Sequence, residues 1–322
     1  MYFRILISCF LLFLAVIPAK SQSMGCTNIA AINYNPLATI NDGSCIYADT
    51  SILPDNSFEL NSILRETSGL ILWNNRLWTF NDNDDVTLYS LDTINGEILD
   101  SIELTGTENR DWEAISQDDA FIYLGDFGNN EHGNRSDLKI YKISKSSLLI
   151  GSPEIEIISF NYPEQTSLEP TSNNQTDYDC EAMIVKDEAI YLFTKQWISS
   201  GTSIYSIPII AGNYAAELIG EYPIAGLVTD ATFIPEKSIV MLCGYNTVLQ
   251  PFIYLLYDIN SDDFFGANKR RIQLSLPFHQ IEGIASSEGD KIYLSNERFA
   301  HNPLINIDAK LHAINLNSIL GN

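Results

Sequence analysis

Residues 181–193 read EAMIVKDEAIYLF, from Glu181 to Phe193: an acid, a small residue, an apolar run, a polar turn and a second apolar run. Four other stretches share the form. Ser68-Gly69-Leu70-Ile71 precedes Leu77-Trp78-Thr79-Phe80-Asn81, and Glu113-Ala114-Ile115 precedes Phe121-Ile122-Tyr123-Leu124. Asp230-Ala231-Thr232-Phe233 precedes Ile239-Val240-Met241-Leu242, and Glu282-Gly283-Ile284-Ala285 precedes Lys291-Ile292-Tyr293-Leu294. Short runs rich in β-branched and aromatic residues, bounded by Gly, Asn, Asp and Pro, read as strands, and no stretch keeps a helical period. The phrases begin 45, 68, 49 and 52 residues apart, close to the repeat of about 40–50 residues that one four-stranded blade occupies.

Two more strands follow each pair, as in Leu88 to Leu91 and Ile98 to Leu104, except after the fifth phrase, where only Lys310 to Leu316 remains. The segment Phe58 to Leu64 supplies the absent outer strand from the other end of the chain, so that the ring closes without a free edge. The expected fold is therefore all-β, a five-bladed β-propeller. Six blades are the alternative if the longest interval, which includes Gln165 to Thr176, holds a degenerate blade; that stretch reads better as an exposed loop.

Ahead of the propeller, Arg4 is followed by an apolar run from Ile5 to Ala19 and by Ala19-Lys20-Ser21, the pattern of a secretory signal with a small-x-small cleavage site. The tetrad Leu6-Ile7-Ser8-Cys9 precedes most of the apolar run, where a lipidation box would follow it. The expected organisation is a signal peptide over 1–21, a small cysteine-clasped module over 22–47, a linker over 48–56 and the propeller over 57–322. Such a chain is secreted or at the cell surface, with the periplasm an alternative; no membrane span and a monomeric state are expected. Cys26 and Cys45 are expected to form a disulfide in that oxidising setting, and Cys180 and Cys243, inside strand-like runs, to be buried free thiols. Loss of Arg4 and Lys20 with the signal, and of no carboxylate, takes the net charge from −23 to −25. A nucleic-acid polymer is excluded as a partner, since phosphate binding needs clustered Lys and Arg.

The first strand of each propeller blade lines the central channel, so residues in equivalent positions face one axis. Ser68, Glu113, Glu181, Asp230 and Glu282 are the expected ring of oxygen ligands. Facing carboxylates are costly unless a cation or protons neutralise them, and calcium accepts six to eight oxygens. Asn81, Asp82, Asp126, Lys195, Asn246, Glu297 and Arg298 are expected to rim one mouth, with the loop from Gly128 to Arg135. A mouth in which Lys195, Arg298, Arg135 and His132 stand among acids could hold a polar or small anionic ligand beside the metal, with Asp82 and Asp126 among its contacts. The run Asp82-Asn83-Asp84-Asp85 lacks the Gly and closing Glu of an EF-hand and reads as a turn. The four histidines show no metal-ligand spacing, and no nucleophile elbow, phosphate loop or Cys-His pairing is present.

Two resemblances add to this. Gly25-Cys26-Thr27 through Asn33-Tyr34-Asn35-Pro36 to Asp42-Gly43-Ser44-Cys45 resembles a short repeat of secreted proteins from Bacteroidetes-type bacteria, which implies surface or secreted life. The blade phrases, Asp111-Trp112-Glu113-Ala114-Ile115, Thr232-Phe233-Ile234-Pro235 and Ile281-Glu282-Gly283-Ile284 among them, resemble the calcium-dependent apyrases, which are five-bladed propellers with calcium on the axis. That resemblance implies an axial calcium, with either Asp111 or Glu113 as ligand; Gly69 stands where the family has a carboxylate, and its Arg-rich nucleotide-binding segment has no counterpart. The leading functional reading is a secreted, calcium-stabilised binding or cell-envelope module. The alternative is a calcium-dependent phosphohydrolase in which Lys195 and Arg298 hold phosphate and Glu113 or Glu181 activates water. A third class, carbohydrate binding, is suggested by Trp73, Trp78, Trp112 and Trp197.

Overall fold

The computed structural model describes residues 22–259 and 262–320; the signal peptide expected over 1–21 lies outside them. Among the described residues, five sheets, each antiparallel through its first four strands, form the blades of a propeller. Their innermost strands are Thr67–Trp73, Trp112–Gln117, Asp179–Lys186, Leu227–Ile234 and Ile281–Ser286 in blades 1 to 5, and the first four strands of every blade but the last run outward in chain order. The six-bladed alternative is thereby removed: residues 163–178 form no strand and lie as a loop between blades 2 and 3.

Strand alternation explains how the ring is held. In blade 3, Met183 and Val185 belong to an apolar cluster shared with blade 2, whereas Ala182 and Ile184 belong to one shared with blade 4. The same period-two division gives one such cluster at each of the five blade junctions, so a blade has two dry faces and no solvent face.

Ring closure places Asn56–Glu59 against Lys310–Asn315 as the outer strand of blade 5. The strand is shorter than Phe58 to Leu64 because the chain turns into a single 3₁₀ turn at Ser62–Leu64, where the Asn61 side chain accepts the Ile63 N–H. Across the closure Ser57 Oγ lies 2.7 Å from His312 Nδ1, and His312 Nε2 lies 2.8 Å from Asn296 Oδ1. Blade 4 gains a fifth, parallel strand from Ser51–Ile52, so the segment 48–56 lies along the propeller as well as linking to it.

The N-terminal module has a short parallel pair, Met24–Gly25 with Ile40–Asn41, and the disulfide Cys26–Cys45. It rests on blade 4. The Asn41 amide donates to Asp258 at 3.0 Å, and the Arg270 guanidinium lies 5.0 Å from the Tyr47 ring centroid. Gly43, at φ +71°, approaches so closely that a Cβ there would sit 2.1 Å from the Gly266 carbonyl oxygen. Cys180 and Cys243 are buried free thiols.

Candidate functional site

Each inner strand carries an irregularity at its mouth end. The ladder skips Glu113 in blade 2, Glu181 in blade 3, Thr229 in blade 4 and Glu282 in blade 5, and skips Gly69 and Leu70 in blade 1. A bulge of this kind frees one residue from pairing and re-aims its side chain. Three of the bulged residues are glutamates, and all three line a cavity of about 160 Å³ on the axis, together with Ser68, Glu66, Asp82, Glu297, Lys195, Trp197, Tyr245 and Gln280.

Six carboxylates and one ammonium line this well. At its edge Asp82 and Glu113 meet Asp111, which lines the adjoining cavity beside the 128–135 loop, and each of the three offers an oxygen within 4.8 Å of the others. The well is expensive in its charged form. Burial first, and then Asp111 and Glu282, push Asp82 up to about 8, while burial and then Glu282 push Glu297 up to about 8. Asp111 rises to about 6 through burial and then Asp179, and Glu113 stands well above the ordinary carboxylate range through burial, Glu181 and Asp82. Both known remedies, protonation and a bound cation, relieve the same penalty.

Lys195 is committed to the opposite wall. Its Nζ lies 3.1 Å from Glu181 Oε1, 4.7 Å from the Trp197 ring centroid and 5.5 Å from that of Tyr245. Burial opposes its charge, but Glu181, Tyr245 and Glu282 outweigh burial and hold its pKa well above the ordinary value. The Trp197 indole donates to Asp179 Oδ2 at 2.7 Å, and Asp179 Oδ1 accepts the Asn129 N–H at 2.6 Å. Lys195 and, from the loop, Arg135 partly offset the charges of Asp82 and Asp111, but burial and the neighbouring carboxylates outweigh them.

Of the five expected ring residues, Ser68, Glu113, Glu181 and Glu282 line the well. Asp230 lies buried below it, where its Oδ2 accepts the N–H groups of Leu70 at 3.1 Å and Ile284 at 2.8 Å, joining blades 1, 4 and 5 across the axis. Among the expected ligand contacts, Asp82 and Lys195 line the well. Asp126 and Arg135 instead form a buried pair at 2.8 Å, with Arg135 also donating to the Gly128 carbonyl at 2.9 Å and Lys139 3.3 Å from Asp126. Arg298 points to Asn306 at 3.2 Å and Asp308 at 3.9 Å. Lys195, Arg135 and Arg298 therefore do not converge. The Asp82 to Asp85 run forms a turn, closed by Asn83 Oδ1 accepting the Asp85 N–H at 2.8 Å, and that turn delivers Asp82 to the well.

The carboxylate group suits a hard cation. All its donors are oxygens, and across the well Glu181 Oε1 is buried without a hydrogen bond, 3.1 Å from Lys195 Nζ. The loop after blade 2 is shaped to it: a Cβ on Gly128 would lie 2.4 Å from both Asp111 Oδ2 and Glu113 Oε1. Only a residue without a side chain lets this backbone pass so close to the two carboxylates.

Comparison with known proteins leaves the chain as a five-bladed β-propeller with an acid-lined axial well. No family model matches it, and no curated protein matches it in sequence, so no sequence match to the apyrases accompanies the blade phrases. Among solved structures, the glutaminyl cyclase of Myxococcus xanthus superposes with a TM-score of 0.47 at 11% identity, covering 83% of this chain and 100% of that one. The WD40 repeats of RRP9 give a TM-score of 0.35 at 9% identity over 76% of this chain and 66% of that one. Likenesses of this size carry no functional argument. No described helix is long and apolar enough to cross a membrane.

Proposed function

We propose that this is a secreted, calcium-stabilised β-propeller that serves as a binding or cell-envelope module, with calcium held at the mouth of its axial well. The observation that carries the reading is the group of Asp82, Asp111 and Glu113, whose oxygens lie within 4.8 Å of one another in a well that pushes their pKa values up. Oxygen-only donors favour calcium over softer metals. Asp82, Asp111 and Glu113 would hold the ion, and Glu66, Glu282 and Glu297 stand in the same cavity. The disulfide Cys26–Cys45 agrees with an oxidising, extracellular setting.

The phosphohydrolase alternative loses its support at the substrate. A phosphate beside the ion needs cationic donors, and of the three expected cations only Lys195 reaches the well, already paired with Glu181. The test is thermal unfolding of the mature protein in calcium and in chelator, run beside phosphate release from nucleoside di- and triphosphates and phytate. A calcium-dependent rise in melting temperature with no release is expected. Release that disappears in Glu181→Ala would replace the module by a hydrolase, and an unchanged melting temperature would remove the calcium.

A further inference from the structure

A second cavity lies away from the axis. A groove of about 690 Å³ runs between the 163–178 loop and the outer part of blade 3, a volume typical of ligand sites. It shares no lining residue with the axial well. Four carboxylates line it, Glu164, Glu169, Asp177 and Glu221, and no Lys, Arg or His does. Asp177 is satisfied locally by the N–H groups of Ile198 and Ser199 and by the Ser199 hydroxyl. Glu164 makes no side-chain hydrogen bond, and Glu221 has only Ser203 Oγ at 3.3 Å.

A second, separate feature lies on the groove wall. Tyr205 is only 3% exposed, yet its hydroxyl makes no hydrogen bond. Its ring is fixed against Tyr162, with centroids 4.6 Å apart. Tyr205 lines the groove together with Glu164 and Glu221. The hydroxyl itself reaches the groove and has no partner within the protein, so it is free to donate to a ligand lying there. Ile198 and Leu218 add exposed apolar surface beside the acids.

We propose that this groove binds an extended basic peptide segment, with a backbone carbonyl accepting from Tyr205 and a Lys or Arg side chain meeting Glu164 and Glu221. The chemistry matches part by part. Basic side chains lay their methylenes on apolar surface while the head reaches a carboxylate, which Ile198 and Leu218 permit. Guanidinium groups pair with carboxylates by charge-assisted hydrogen bonds. Anionic ligands are excluded by the four acids. A neutral glycan would leave those acids unmatched. The loop that builds the groove is anchored by Thr171 N–H to the His132 carbonyl at 2.8 Å and by Asn174 N–H to the Asn130 carbonyl at 2.8 Å, so one wall is preformed.

The test is titration calorimetry at physiological salt with a capped hexapeptide of alternating Arg and Gly, its Gln-for-Arg counterpart and a neutral glucose hexasaccharide. Wild type is compared with Tyr205→Phe, with Glu164→Gln/Glu221→Gln, and with Glu97→Gln/Glu103→Gln, which removes two exposed charges on blade 1. The expected result is one Arg-peptide site per chain, weakened at least about tenfold by the groove double variant and severalfold by Tyr205→Phe, with the blade 1 variant within about twofold of wild type. Chelator leaves it unchanged, which separates this site from the axial one. Equal weakening by the blade 1 variant, equal binding of the Gln peptide or the hexasaccharide, or no peptide binding overturns the proposal.

Discussion

Asp230 and Asp82 are both buried acids near the axis, and their surroundings give them different roles. Asp230 accepts two backbone N–H groups from two other blades, and burial holds its pKa well above the ordinary value. A neutral amide can accept the same two bonds, so Asp230→Asn is expected to cost less than about 1.5 kcal/mol in urea unfolding. Asp230→Ala strands two buried donors and is expected to cost about 2–5 kcal/mol. Asp82, Asp111 and Glu297 are pushed up by burial first and then by the carboxylates around them. A carboxyl whose native pKa exceeds its unfolded value takes up a proton on folding. In chelator its contribution is therefore complete below about pH 4 and is lost as pH climbs through the values of about 6 for Asp111 and about 8 for Asp82 and Glu297. Calcium competes for the same oxygens, so the melting shift it causes is expected to be larger at about pH 8 than at about pH 5. A shift equal at both values would show that Asp82 and Asp111 do not hold it. The sequence marks Glu113, Glu181 and Glu282 by their repeated phrase. Glu66, Asp179 and Gln280 escape that reading although each stands two positions before an expected axial residue, as Asp111 does before Glu113. Strand alternation puts such pairs on one face, so the signal was present in the spacing.

At the scale of the element, the bulges and the loops that follow the second strands decide which residues meet. The blade 4 phrase aligns Asp230 with Glu113, Glu181 and Glu282, but the ladder of that blade bulges at Thr229 and pairs Asp230 with Cys243. A one-residue offset redirects the side chain, and a phrase pattern does not record where a bulge falls. Blade 1 bulges at Gly69, whose φ of +64° and contact of 2.8 Å between a built Cβ and Phe80 Cε1 leave no room for a side chain. Gly69→Ala is expected to cost roughly 1–3 kcal/mol of stability without altering calcium binding beyond that loss. Gly128→Ala is the converse case. A methyl there would displace the Asp111 and Glu113 carboxylates, and calcium affinity is expected to fall about tenfold or more with the unfolding midpoint in chelator nearly unchanged. The loop from Gly128 to Arg135 was legible as a rim element, while the use of Arg135 was not. Its guanidinium is spent on Asp126, Asp137 and the Gly128 carbonyl, holding the loop instead of meeting a ligand.

The whole molecule is a closed ring whose two ends meet in blade 5, and the closure has its own acid sensitivity. Burial, then His279 and Lys310, push His312 down to about 3, so it is neutral when it links Ser57 to Asn296. A histidine whose native pKa is depressed stabilises fully above its unfolded value of about 6.5 and loses that contribution as pH falls toward 3. Hydrogen exchange of Asn56–Glu59 is expected to accelerate over that range, and to lose its pH dependence in His312→Gln. Five-blade architecture and end-to-end closure were readable in the spacing of five phrases, since one face of every strand must meet the next blade. The peptide groove was not, because it joins a loop without periodicity to the outer edge of a blade. The central claim is that Asp82, Asp111 and Glu113 hold one calcium ion at the axial mouth. Calorimetric titration of calcium into the chelator-treated mature protein tests it most directly. One site per chain, with a Kd no weaker than about 10⁻⁴ M and weakened at least about tenfold by Glu113→Gln, is the predicted result; absence of binding, or binding that Glu113→Gln leaves unchanged, would contradict it.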